Sequence, residues 1–180
     1  SGNSGAVSFG VSIVENDIKN AVSALIDKST VTGTGAIAVG AKSTSEIYAV
    51  TISGAVAAAY GKTAIGLTGA GSGSDNEIAN TITAAIRNGA TVNGGSQVEL
   101  SAQDDATIVS VGGSLSVSIT IGKENALSGS IGASIANNDI QNQTKALIVG
   151  SGTTLTASDN IALTAESTAD IDNYAIAGAV

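Results

Sequence analysis

The chain has 180 residues, 43 % of them hydrophobic but only 2 % aromatic and 12 % charged, with 23 glycines and no proline, cysteine, methionine, tryptophan or histidine. Without histidine or cysteine it has no His-based triad, no thiol nucleophile, no ordinary zinc site and no disulfide framework. Asp plus Glu outnumber Lys plus Arg by 15 to 7, and the resulting charge of −8 at pH 7 has the wrong sign for nucleic acid or anionic lipid.

A mean hydropathy of +0.31 separates the chain from disordered segments, which combine low hydrophobicity with high net charge. The apolar residues come in short alternating runs, none approaching the roughly 18–20 residues of a membrane-spanning helix. Residues 1–10 lack the basic start and apolar stretch of a signal peptide. These features predict a soluble, β-rich segment without membrane insertion.

In chain order, the first marked feature is Asn16-Asp17-Ile18-Lys19-Asn20, which recurs as Asn76-Glu77-Ile78-Ala79-Asn80 and Asn138-Asp139-Ile140-Gln141-Asn142. From Ile18 to Ile78 is 60 residues and from Ile78 to Ile140 is 62. Ala24, Ala84 and Ala146 follow at one constant offset, and Ile26, Ile86 and Ile148 at another. Further on, Val31, Val92 and Leu155 precede the triplets Ile37-x-Val39-x-Ala41, Val98-x-Leu100-x-Ala102 and Ile161-x-Leu163-x-Ala165. Ile47, Ile108 and Ile171 come next. The chain is an internal repeat of about 60 residues.

Within each unit the local period is two, that of a strand. Ile18, Asn20, Val22, Ala24 and Ile26 share one face; Lys19, Ala21, Ser23 and Leu25 share the other. Gly-rich segments (Thr32-Gly33-Thr34-Gly35, Asn93-Gly94-Gly95-Ser96 and Gly150-Ser151-Gly152) are expected to supply positive-φ turns. Alanine-rich windows such as 55–60 and 80–87 do not form helices in this reading, because Gly and β-branched residues interrupt them.

A repeat of short strands buries little by itself, but stacked repeats bury a common interior. The pattern therefore predicts an all-β fold, a parallel β-helix (β-solenoid) occupying residues 1–180 as one segment, with repeats at about 4–52, 53–113 and 114–180. A solenoid coil commonly takes on the order of 20 residues. Each repeat is then expected to make about three coils and the chain roughly nine, in a rod on the order of 40 Å long with a dry Ile/Val/Leu/Ala interior. The additional residues at 64–73 and 125–132 are expected as an added strand pair or a bulging loop. Ser4-Gly5-Ala6-Val7, Ser53-Gly54-Ala55-Val56 and Ala177-Gly178-Ala179-Val180 look alike, so the chain begins and ends at one phase of its repeat without a polar cap. An excerpt of a longer array, or copies stacked end to end, is expected on that ground.

Few residues suggest chemistry. Gly71-Ser72-Gly73-Ser74-Asp75-Asn76-Glu77 approaches a calcium-binding glycine-rich nonapeptide, making Asp75 and Glu77 weak metal candidates. The equivalent stretches 11–17 and 132–139 lack its glycines, which favours a plain turn. Asn16, Asn20, Asn76, Asn80, Asn138 and Asn142 are assigned structural positions, since an inward amide is tolerated where it bonds a turn or an amide of the next coil. Asp104-Asp105 and the pair Asp170 and Asp172 resemble the paired carboxylates of glycosidases, but only Phe9, Tyr48, Tyr60 and Tyr174 are available as sugar-stacking platforms. A solvated face is the favoured reading. The Thr30-Val31-Thr32 and Thr154-Leu155-Thr156 stretches are similar to ice-binding threonine arrays, without their coil-by-coil repetition.

The Asn-Asp/Glu-Ile-x-Asn-x3-Ala-x-Ile strand, the Ser29-Thr30-Val31-Thr32-Gly33 turn, the strand Ile161-Ala162-Leu163-Thr164-Ala165-Glu166-Ser167-Thr168-Ala169 and the Ala-Gly-Ala-Val junction together resemble the repeat regions of filamentous haemagglutinin-like and leukotoxin-type filamentous adhesins. The resemblance implies a right-handed parallel β-helix, export as a long polypeptide, and a place in a shaft or adhesive surface. On this reading the chain is a non-enzymatic structural segment of an extracellular or cell-surface bacterial filament or adhesin. It has no catalytic residues and no cofactor. Its partners are neighbouring repeats or copies of itself, together with host or cell-surface glycans or proteins, but no nucleic acid. The alternatives are a fibre subunit stacking end to end and a carbohydrate-binding or polysaccharide-degrading β-helix.

Overall fold

Alternating small and apolar residues, uninterrupted by proline, favour long unbroken ladders, and the computed structural model, which describes residues 2–180, is built from them. Ten strands follow in chain order: β1 (Ser4–Ile18), β2 (Ala21–Asp27), β3 (Thr30–Thr32), β4 (Ile37–Ile78), β5 (Thr81–Arg87), β6 (Thr91–Gly94), β7 (Val98–Ile140), β8 (Gln143–Val149), β9 (Thr154–Ala157) and β10 (Ile161–Ala179). They form three parallel sheets, ordered β1-β4-β7-β10, β2-β5-β8 and β3-β6-β9. Every pairing joins a residue to its equivalent one repeat later, as in Ile18 with Ile78 and Ile78 with Ile140. The fold is a parallel β-solenoid.

The number of coils differs from the expectation. One 60-residue repeat makes one layer, so there are three layers rather than nine coils, and at about 4.8 Å per layer the stack is on the order of 10 Å deep rather than 40 Å. The reason lies in β4 and β7, each of which serves two layers. Residues 37–61 pair with 98–122, the register shifts between Gly61 and Thr63, and residues 63–78 continue against 125–140. Each layer thus consists of a compact head and a long arm in which two runs face each other. Residues 64–73 and 125–132 are neither loop nor added pair; they are the arm itself, with Ala64 stacked on Ser4 and Ala126. The junction likeness also divides. Ser53-Gly54-Ala55 stacks through Ser114-Leu115-Ser116 on Ala177-Gly178-Ala179, whereas Ser4-Gly5-Ala6-Val7 stacks on Ala64-Ile65-Gly66-Leu67.

In the head, β2, β3 and the start of β4 form three sides around an aliphatic core. Ile82, Ile86, Val92, Val98 and Leu100 of the middle layer are fully buried there, covered by Val22, Ile26, Ile37, Ile148 and Leu155 of the layers on either side. Each such side chain contributes about 1.5–3 kcal/mol by leaving water. A second cluster at the neck of the arm joins Ile47, Ile78 and Ile108 to Ile18 and Ile140. The corner after β2 takes a left-handed residue in all three layers: Lys28 (φ 48°), Asn88 (φ 57°) and Gly150 (φ 101°). Gly150 and Gly152 therefore meet the positive-φ expectation, but Gly33, Gly35, Gly94 and Gly95 are not among the positive-φ glycines. Gly95 is required by space instead, since a Cβ there would collide with the Thr34 carbonyl.

The arm overturns the expected Ile/Val/Leu/Ala interior. Its two runs are seamed by hydroxyls: Ser116 Oγ lies 2.7 Å from Ser130 Oγ, and Ser74 Oγ 2.9 Å from Ser110 Oγ. Ser130 Oγ donates to the Ser116 carbonyl (2.8 Å) and Ser128 Oγ to the Ser118 carbonyl (2.9 Å). Side chain to opposite backbone is a very short bridge, and only small residues permit it. Where glycines meet, as Gly10 against Gly54 and Gly132 against Gly178, a Cβ would strike the opposing carbonyl. Pleated alternation then turns the larger apolar residues of the arm outward.

Candidate functional site

The repeated asparagines lie where the arm joins the head, at the break between β1 and β2 and its counterparts. Asn16 Nδ2 donates to Asn76 Oδ1 (2.8 Å) and Asn76 Nδ2 to Asn138 Oδ1 (2.7 Å), forming an amide ladder along the stack. Four residues on, Asn80 Oδ1 accepts from the Asn20 backbone N–H (3.0 Å), and Asn142 Oδ1 from that of Asn80 (2.7 Å). The remaining amide protons cross to the opposite run, from Asn80 Nδ2 to Ser45 Oγ (2.9 Å) and from Asn142 Nδ2 to Asp104 Oδ2. Asn76 and Asn80 are buried, where an unpaired amide costs about 1–3 kcal/mol. Five of the six asparagine side chains bond across the layers or the neck, and Asn20 contributes its backbone N–H.

Asp75 and Glu77 point outward beside Glu15 and Asp17, around a shallow concavity of about 50 Å³. Asp75 Oδ1 accepts from Asn137 Nδ2 (3.0 Å), and Glu77 Oε2 receives the Lys19 ammonium (3.0 Å), which also meets Asp17 Oδ2 (2.8 Å). Hydrogen bonds to Asp17 and then Glu77 hold the Lys19 ammonium above its ordinary pKa. Among the described residues, no group of three or more acidic side chains is gathered as metal donors. Sequence reasoning placed Asp104 and Asp105 together, but the pleat separates them, Asp104 being fully buried at the neck and Asp105 exposed. Asp170 and Asp172 are both exposed on β10. On the head, Arg87 brings Nη2 (2.9 Å) and Nε (2.9 Å) to Asp27 Oδ2. Asn88 donates to the other oxygen (3.0 Å). The Asn88 hydrogen bond and the Arg87 guanidinium hold the Asp27 carboxyl below the usual carboxylate range.

Sequence reasoning missed the outer surface of the arm. One side, face A, comprises β1, residues 63–78 and residues 125–140; the other, face B, comprises residues 37–61, 98–122 and β10. Face A presents Phe9 (76 % exposed), Ile13 (77 %) and Ile131 (72 %), and face B presents Ile52 (74 %), Leu115 (54 %) and Tyr60 (62 %). No charged residue occurs within residues 4–14, 47–61, 63–74 or 106–122. The signal was available as parity: Val7, Phe9, Val11 and Ile13 stand on odd positions, opposite to the inward Ile18. Chemically, the arrangement offers backbone ladders, a hydroxyl seam and two broad apolar faces, which are means of holding surfaces together. No family model, no curated protein and no solved structure matches this chain, so its role is argued from this geometry.

Proposed function

We propose that the chain is a non-enzymatic structural segment of an extracellular bacterial β-solenoid filament or adhesin. The observation that carries this reading is the in-register stacking of three homologous layers through every strand of the repeat. A structure whose layers are interchangeable extends by adding layers, and its ladders and amide stacks run along the direction of extension. The alternative of a fibre subunit stacking end to end draws on the same feature, because β1 and β10 are edge strands able to receive a further layer.

The test is a tandem chain carrying two copies of residues 1–180, compared with one copy by small-angle scattering. Three added layers lengthen the stack axis by about 14 Å. An unchanged axial dimension, with the second copy folded as a separate body, overturns the reading. Turnover of any member of an acidic polysaccharide panel by the single copy overturns its non-enzymatic part.

A further inference from the structure

The last strand of the stack lacks a cover that its equivalents have. The runs of the arm are staggered, each face-B run lying between two face-A runs. Residues 37–61 meet β1 where Gly10 faces Gly54, and at the neck Asn80, just past residues 63–78, donates to Ser45 Oγ (2.9 Å). Residues 98–122 meet residues 63–78 through Ser110 and Ser74, and residues 125–140 through Ser116 and Ser130. β10 meets residues 125–140 where Gly178 faces Gly132, and no face-A run lies beyond it among the described residues. The inward row registers the difference. Ile47 and Ile108 are buried among Ile18, Ile78 and Ile140, whereas their equivalent Ile171 is 44 % exposed. In the head Val39 and Leu100 are buried, and their equivalent Leu163 is 46 % exposed. Hydrogen-bonding groups are open at both ends of the stack as well. Asn16 Oδ1 and Asn138 Nδ2 end the amide ladder without partners among the described residues. The Asn20 side chain and the Asn142 backbone N–H are also without hydrogen bonds.

We propose that the open seat beside β10 takes β1 of a second copy, in the register the layers already use. Residues 4–18 of the second copy then lie alongside residues 126–140 of the first, and its residues 37–55 alongside residues 161–179. The proposal rests on the end-to-end alternative above and specifies its strands and register. Ile18 of the second copy closes over Ile171, and its Val22 and Ile26 complete the head around Leu163. Asn138 Nδ2 gains the Asn16 Oδ1 acceptor and the Asn142 N–H gains Asn20 Oδ1, repeating the bonds made inside each copy. The contact is heterologous, so each addition leaves one open seat and one free β1. Growth therefore continues as a filament rather than closing as a dimer. A second copy suits the seat better than an unrelated strand, because it brings amides, isoleucines and a facing glycine at the spacing the seat requires. The seam sets Lys42 on Glu166, but also Asp17 on Asp139 and Glu46 on Asp170, so salt screening favours assembly.

Sedimentation velocity over a concentration series is expected to show open-ended growth of the unmodified chain, stronger in about 0.5 M than in about 0.05 M sodium chloride. Asn20→Ala removes a side chain that makes no hydrogen bond in its own copy. The dilute monomer is expected to melt as the parent does, while association weakens roughly fivefold, the worth of one hydrogen bond. Circular dichroism confirms that the variant folds, with Asn20→Ser replacing it if it does not. Register is read by oxidising paired cysteine variants, since the parent has no cysteine. Val11→Cys and Ala133→Cys in one chain lie two layers apart, about 10 Å, which is too far to bridge. Across the seam they are about 4.8 Å apart and are expected to join copies into covalent multimers. Val11→Cys with Ile135→Cys is offset by two residues, about 8 Å across the seam, and is expected to stay largely uncrosslinked. The proposal is overturned if the unmodified chain stays monomeric at every concentration, or stops at a dimer as pairing of two β10 edges would. It also fails if Asn20→Ala associates as tightly as the parent, or if the offset cysteines crosslink as well as the matched pair. Single copies that stay monomeric while the tandem chain lengthens reject this seam and leave the filament reading standing.

Discussion

The head and the arm of each layer are built from the same alternation and use it in opposite ways. In the head, Ile82, Ile86, Val92 and Leu100 point inward and polar residues such as Thr81, Thr83 and Arg87 point to solvent, as in a soluble β-protein. In the arm, serines, threonines, alanines and glycines point inward while Val, Ile, Leu, Phe and Tyr point out. The parity of the strand is continuous across the neck; what reverses is the chemistry assigned to it. Period two therefore identifies a strand, but does not say which of its faces is the interior. Size decides that here. Two facing runs joined by Ser–carbonyl bridges leave no room for an isoleucine, whereas the three-sided head has room for several.

The largest break in this comparison comes from one charge in the head. Ile86→Asp, at a fully buried site, is expected to cost more than about 4 kcal/mol and abolish cooperative unfolding by calorimetry. Ile13→Asp, on the outside of the arm, is expected to leave the melting temperature within a few degrees; equal damage from both would refute the inverted arm.

Steric change separates the two surfaces of the arm next. Gly132→Val drives a side chain into the Gly178 carbonyl and is expected to destabilise by about 2–3 kcal/mol. Gly73→Val meets open space on face A and is expected to fall within about 0.5 kcal/mol of the parent in urea unfolding. A smaller loss is expected at the neck. Asn80→Ala removes both amide contacts of a buried residue and is expected to cost about 1–3 kcal/mol. Asn80→Asp retains the acceptor toward Asn20 but loses the donor toward Ser45, and thermal melts should not rank it above the parent.

The smallest effect is electrostatic and confined to the head. Because the folded state holds the Asp27 carboxyl below its usual range, through Asn88 and then Arg87, the contribution is present at neutral pH. It is lost as pH falls through the folded-state value, below the ordinary carboxylate range. Asp27→Asn should flatten that part of the acid limb in a pH series of melting temperatures, and an unchanged acid limb would remove Asp27 from the account. Both groups are substantially exposed, so the shift in melting temperature is small.

Much of the fold is legible in particular residues. The recurrence of Ile18, Ile78 and Ile140 at nearly constant spacing announces stacked layers, and the structure places these three residues in one column. The amide ladder of Asn16, Asn76 and Asn138 follows from the repeat, because equivalent residues share a register and each layer offers the next the same amide. The coil number was not legible. Nothing in the alternation of residues 47–78 distinguishes several short sides with corners from two long runs folded flat on each other. The Asp104–Asn142 contact was equally hidden, since it joins opposite sides of an arm whose existence the spacing does not reveal. The outward position of Phe9 and Ile13 follows from parity, but accepting it means allowing apolar side chains to face water.

By itself the sequence determined that this protein is a repeat of strands, that equivalent residues stack, and that the chain is free of proline to interrupt the ladders and of histidine or cysteine to do their chemistry. These are properties of local alternation and composition, and they hold in any arrangement that keeps the repeats in register. Only the tertiary structure decided that one repeat is one layer, that the arm is seamed by hydroxyls and that its apolar residues face outward. Those outcomes depend on how closely two runs of the same layer approach. That distance is set by the absence of side chains at facing glycines, a property of pairs brought together by the fold.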